Sequence, residues 1–343
     1  MATMCEIFSL KEFQIAIQKE TTAGTAAITD AGSETILAID AVDNATVSKG
    51  VYRDTAVHMG KGRTKKTGDN KTSVKGQLNT ITFSMYADQT IAKYLFENLI
   101  GGTVGTSPAS FDIPTGFTSK VCIGDTDTDW TGLFSLALVE PSGYASASRV
   151  LRACKVESYT YKCGNSDADG GRAMVDITIG TDAAIAEGVD GSSWTVTPYS
   201  TTQERYIMDL FSSASVSQIG GVDVALDSFS LTFNGNVTRH SYAGSNGMSY
   251  LIATGMPNIE VLGDFTVKDD SNTVDFLDEI SGTTDLVVAF HNAVWVSATF
   301  GFMGGHGRIR DSFQREAINE GSYFTIPIEF LDNSTDDLIQ VVL

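Results

Sequence analysis

The sequence predicts a mainly β chain made of two tandem modules, each running strand, long inter-strand loop, returning strand, α-helix and further strands. Three observations carry that prediction. The composition sets 33 glycines against 6 prolines in 343 residues, amid many Thr, Ser and Asp, a bias toward turns and strands. Short runs of alternating apolar and polar residues recur along the chain. One unit also occurs twice, as "FSMYADQTIAKYLFENLIGG" at 83–102 and "FTVKDDSNTVDFLDEISGTT" at 265–284. Phe83 and Phe265, Asp88 and Asp270, Tyr94 and Phe276, and Leu95 and Leu277 pair at one constant offset.

Residues 1–39 read as an N-terminal strand and arm. Phe13, Ile15 and Ile17 alternate with polar neighbours at strand period, and "TAGTAAITDAGSE" follows with no helical period. The first module is expected over 40–182. There "NATVSKGVY" can pair with "LNTITFSMY" across a polar loop far longer than the roughly two to five residues of a usual hairpin. Asp88 is a good N-cap. The helix after it puts Ile91, Leu95 and Leu99 on one stripe and stops at Gly101 and Gly102. "SKVCIG", "LFSLALV", "KVESYTYKCG" and "RAMVDITIG" follow as strands, the last two as a hairpin around "NSDADGG".

A linker is expected over 183–221 and the second module over 222–343. "DSFSLTFNG" restarts the pattern at the offset of "ATVSKGVYR", and a Gly-rich loop, "NVTRHSYAGSNGMSYLIATG", stands where the polar loop stood. "IEVLGDFTV" returns as a strand, and Asp270 caps a second helix with Val274, Leu277 and Ile280 inward. "DLVVAFHNAVWVSATF" supplies one long strand or two, and "DSFQREA" and "SYFTIPIEF" close the unit. The first copy carries roughly thirty extra residues after its helix, near "GTVGTSPASFDIPTGFTS".

The net charge is −19, so the surface as a whole repels nucleic acid and anionic membrane. Between Lys49 and Lys75, however, eight basic residues face only Asp54 and Asp69, a local +6 that leaves −25 on the rest. A basic projection on an acidic body is a natural docking pair when copies of one chain meet. It also fits a solvated face, while nucleic-acid stacking has only Tyr52 to offer nearby. The residues proposed for such contacts are Arg53, Lys61, Arg63, Lys65, Lys66 and Lys71, with Arg239, His240 and Tyr242 at the matching place in the second copy.

Catalytic signatures are missing from the sequence. His58, His240, His291 and His306 sit in no H-E-x-x-H motif, there is no G-x-S-x-G, and "GKGRTKKTG" has its glycines and lysines misplaced for a phosphate loop. "DTDTDW" and "NSDADG" partly match calcium-loop spacing, but their flanking context does not, so both read as solvated turns. Cys5, Cys122, Cys154 and Cys163 form no C-x-x-C pair and read as buried or free thiols made in a reducing cytoplasm. The N-terminus lacks signal-peptide features and no apolar run approaches ~20 residues, so a soluble, cytoplasmically made protein without membrane contact is expected. No cofactor, metal or catalytic residue is expected.

"FQIAIQKETTAGTAA", a strand with a Lys-Glu-Thr run leading into a small-residue arm, resembles the opening of tail tube proteins of flexible-tailed phages. "TVSKGVYR…VKGQLNTITFSMYADQTIAKYLFENL" and "SFSLTFNGN…IEVLGDFTVKDDSNTVDFLDEI" are similar to that family's tube module. The resemblance implies a β-sandwich whose inner strands join those of neighbours into a barrel lining a tube of stacked rings. Loops 54–75 and 238–256 would reach the adjacent ring. Two modules per chain imply three chains per ring. Implied partners are other copies, the tape measure protein and tail completion proteins, with DNA crossing an acidic, non-adhesive lumen in the virion tail. A capsid decoration protein, a surface-layer protein or a carbohydrate-binding or hydrolytic β-sandwich are the alternatives, and Trp130, Trp194 and Trp295 are too scattered to favour the last.

Overall fold

The computed structural model describes residues 14–20, 36–39, 46–53, 74–87, 91–100, 120–122, 134–139, 148–164, 171–181, 186–189, 196–197, 216–235, 238–244, 247–253, 259–270, 285–291, 301–311, 315–318, 321–331 and 339–342. The chain is mainly β. Its first half holds β1 (Gln14–Lys19), β2 (Ile36–Ile39), β3 (Thr46–Arg53), β4 (Val74–Tyr86), helix α1 (Ile91–Ile100), β5 (Lys120–Cys122), β6 (Phe134–Val139), β7 (Ser148–Gly164), β8 (Met174–Thr181), β9 (Ala186–Val189) and β10 (Val196–Thr197). The second half holds β11 (Val216–Ile219), β12 (Val222–Asp223), β13 (Leu226–Asn234), β14 (Thr238–Gly244), β15 (Gly247–Ala253) and β16 (Glu260–Lys268). It continues with β17 (Leu286–His291), β18 (Gly301–Ile309), β19 (Arg315–Ile318), β20 (Gly321–Phe330) and β21 (Gln340–Val342).

The same pairing order appears in both halves. In the first, β3 pairs β4, β4 pairs β8 and β8 pairs β7, all antiparallel. In the second, β13 pairs β16, β16 pairs β20 and β20 pairs β18 and β19. A second ladder also recurs: β1–β6–β7–β9 in the first half and β11–β17–β18–β21 in the second. Even the irregularities match, with a bulge between Phe134 and Leu136 in one ladder and between Leu286 and Val288 in the other.

Strand β7 belongs to both ladders of its half because it bends. Ala153 takes a left-handed φ of 51°, unusual for a residue with a side chain. Glu20, 3 % exposed, holds that bend: its Oε1 accepts the Ala153 amide at 2.8 Å and the Ser135 hydroxyl at 2.7 Å. A buried carboxylate needs such partners to offset its desolvation. The Lys-Glu-Thr run thus contributes a buried pin between β1, β6 and β7.

The stretch expected as a linker, 183–221, carries three strands: β9 against β7, β10 parallel to β2, and β11 against β17. Strand β1, within the N-terminal strand and arm expected over 1–39, is built into the ladder through β6, with Ile15, Ala16, Ile17 and Gln18 all buried. Alternation predicted one buried face, but neighbours cover both. The Gly-rich loop of the second half contains the antiparallel hairpin β14–β15.

Helix α1 buries Ala92, Leu95, Phe96 and Leu99, the i, i+3, i+4, i+7 stripe of an amphipathic helix. Its end is fastened to β7 by Asn98. The Asn98 side-chain carbonyl accepts the Val156 amide at 2.8 Å, and its main-chain carbonyl accepts the Lys155 ammonium. Lys155 is 3 % exposed, and burial lowers its pKa to about 8. Asp88 and the second helix expected after Asp270 lie outside the described residues, whereas Asp270 itself is a half-buried bend just after β16.

Candidate functional site

The two halves meet edge to edge. β7, at one side of the first β3–β4–β8–β7 set, pairs antiparallel with β13, at the opposite side of the second set. The register runs from Ser228 opposite Gly164 to Asn234 opposite Ser158. One sheet therefore crosses from β3 to β18 without a break.

Each face of this seam has its own chemistry, because strand residues alternate sides. On the buried face, Phe96 of α1 meets Tyr159 of β7 and Phe233 of β13, with ring centroids 5.3 and 4.8 Å away. Tyr161 stacks on Phe229 at 6.1 Å, and Phe229 continues to Phe302 at 5.5 Å. Edge-to-face and offset pairs of this kind add roughly 0.5–1.5 kcal/mol each beyond area burial. The helix of the first half thus lies over both sides of the seam. Among the described residues the Tyr159 hydroxyl has no hydrogen-bond partner, and burial raises its pKa, helped by nearby Tyr161.

The other face is polar. Ser84, Asp176, Thr160, Thr232, Leu262, Glu329 and Arg308 stand opposite one another in a single row from β4 to β18. Hydroxyls join across the seam: Thr160 to Thr232 at 2.9 Å, and Ser158 to Asn234 at 3.2 Å. Bases on this face are matched by acids. Lys162 meets Asp176 and Arg310 meets Asp264, each at 2.6 Å. Asp285 accepts from Arg308 and pairs with His306, both at 2.9 Å, and these bonds lower its pKa, that to His306 most.

The residues singled out from sequence are not gathered into this seam. Arg53 ends β3, opposite Val74. Arg239, His240 and Tyr242 lie in β14, opposite Ile252, Leu251 and Ser249. Lys61, Arg63, Lys65, Lys66 and Lys71 fall outside the described residues, as do both acidic loops weighed for calcium. Among the described residues no group of three His, Cys, Asp or Glu side chains could hold a metal, and no helix is long and apolar enough to cross a membrane. Cys154 and Cys163 are both buried, the latter donating to the Gly171 carbonyl at 3.2 Å.

Sequence reasoning missed the seam, although a signal was present. "SYTYK" and "SFSLTFN" share one alternation of hydroxyl with aromatic or leucine side chains, which suits two strands sharing both faces. No known protein family and no curated protein matches this chain's sequence.

Proposed function

We propose that this chain is a structural protein that assembles with its own copies into stacked rings, forming a phage tail tube through which DNA passes. Each chain supplies two tandem β-sandwich tube modules, the product of an internal duplication, so that three chains make a ring of six modules. The tape measure and tail completion proteins are its further partners, and its place is the virion tail.

The β7–β13 seam carries this proposal. It joins the last strand of one four-strand set to the first strand of an equivalent set. The same two kinds of edge recur at the ends of the joined sheet: among the described residues β3 pairs only with β4, and β19 only with β20. Open edges invite pairing with another chain. Repeating the seam between copies joins β19 and the end of β18 to β3 of the next, a head-to-tail contact that closes when the rotation fits. The polar face supports a conduit role, since hydroxyls and acid-paired bases give a polyanion few free cations to hold.

The test is to block one edge. Successive amides in a strand point to opposite sides, so of Glu316→Pro and Ala317→Pro one removes an outward N–H of β19. The expected result is a chain that keeps its far-ultraviolet circular dichroism but sediments as a monomer where the wild type forms rings or tubes. Rings forming normally in both variants count against the shared-seam geometry.

A further inference from the structure

The two halves differ in one respect that their common pairing order does not explain. Past Asn234 and Glu260 the second half leaves the main sheet and continues as the β14–β15 hairpin. Among the described residues that hairpin has no ladder to the main sheet. Its partner is β5, three residues from between α1 and β6 of the first half, with Leu251, Ile252 and Ala253 opposite Cys122, Val121 and Lys120. The β3–β4 ribbon receives nothing comparable: β8 covers β4 only from Asn79 onward, and Val74–Leu78 pairs with β3 alone among the described residues.

We propose that the segment between α1 and β6 is a strap, a strand donated by the first half to fix the projecting hairpin of the second. The physical need is plain. A two-stranded hairpin is marginally stable in water, and a third strand is what gives such a unit independent stability. The second half has far less chain to supply a strand from the same place, because only 16 residues separate β16 from Asp285. The roughly thirty extra residues of the first copy therefore have a task, and it lies in the other half of the molecule. The consequence is a built-in inequality among the described residues: the β14–β15 projection has a third strand from its own chain, and the β3–β4 projection has none. This inference concerns the single chain and stands apart from whether copies assemble.

Cys122 makes the test direct. Residues facing each other on antiparallel strands have Cα atoms about 4.5–5.5 Å apart, inside the span a disulfide bridges. A Leu251→Cys variant, oxidised as the folded full-length chain with oxidised glutathione, is digested without reduction and its linked peptides identified by mass spectrometry. The strap predicts a link between positions 122 and 251 within one chain, absent when Cys122→Ser is added. A new thiol that stays free, or joins only a second chain, overturns it. Hydrogen exchange supplies the energetic half. One of Val121→Pro and Cys122→Pro removes an amide facing β15. Amides at 247–253 should then exchange at least about tenfold faster, while those of β13 and β16 keep their rates. Unchanged exchange at 247–253 in both variants overturns the strap as the source of the hairpin's order.

Discussion

Thr160 and Thr232, 72 residues apart in sequence, share a hydrogen bond of 2.9 Å across the line where the two halves of the chain become one sheet. Directly behind them Tyr159 and Phe233 pack with Phe96 on the buried side. A polar contact on one face and an aromatic cluster on the other make the seam a two-sided joint, and the predictions below follow from that division.

The buried side carries the energy. Phe233 is 2 % exposed and touches rings from both β7 and α1. Phe233→Ala should cost about 3–5 kcal/mol, the range for emptying a core aromatic site. Thr232→Val, on the wet face, should cost under about 1 kcal/mol, because a half-exposed neutral hydrogen bond contributes little net. Urea melts of the two variants check the contrast, and equal losses would contradict it.

Tyr159 gives an opposite prediction. Its hydroxyl is buried with no hydrogen-bond partner among the described residues, an arrangement costly to the folded state. Tyr159→Phe keeps the ring and removes that cost, so thermal stability should stay level or rise. A loss of more than about 1 kcal/mol would reveal a hydroxyl partner.

Lys155 sets a pH dependence. Its folded pKa of about 8 lies below the ordinary 10.5, so between those values the unfolded chain binds the extra proton. Stability from this group therefore rises with pH through that window, by about 3 kcal/mol in all, and the burden returns as pH falls to 8. Lys155→Met should abolish this rise in denaturant midpoints measured from pH 8 to 10.5.

Stacking is expected to depend on charge. Reversing Lys61, Arg63, Lys65 and Lys66 to Glu turns the basic projection acidic against an acidic body. The subunit should fold normally, with tubes shortened or lost in electron micrographs. Tubes of ordinary length would remove the docking role of this segment.

Much of the β content was legible locally. Alternation in "SYTYK" and "AMVDITI" identified β7 and β8, and spacing in "IAKYLFENL" identified α1, since those signals depend on near neighbours. Long-range choices were not. Alternation at Ile15 and Ile17 marks β1 as a strand with one buried side, but it does not reveal that Ala16 and Gln18 are buried on the other. The three strands within 183–221 are only two to four residues long, too short for period to distinguish from small-residue linker. Glu20 reads as an ordinary surface acid until β1 is placed beside Ser135 and Ala153. The seam needed partners about 70 residues apart, which local pattern does not specify.

The central claim is that equivalent sheet edges join copies as they join the two halves of one chain. End-on electron micrographs of concentrated wild-type protein, averaged without imposed symmetry, test it most directly. The account predicts annular or tubular particles with six similar lobes contributed by three chains. Closed shells, or rings whose lobe number is not twice the chain number, would contradict it and favour a capsid or surface-layer protein.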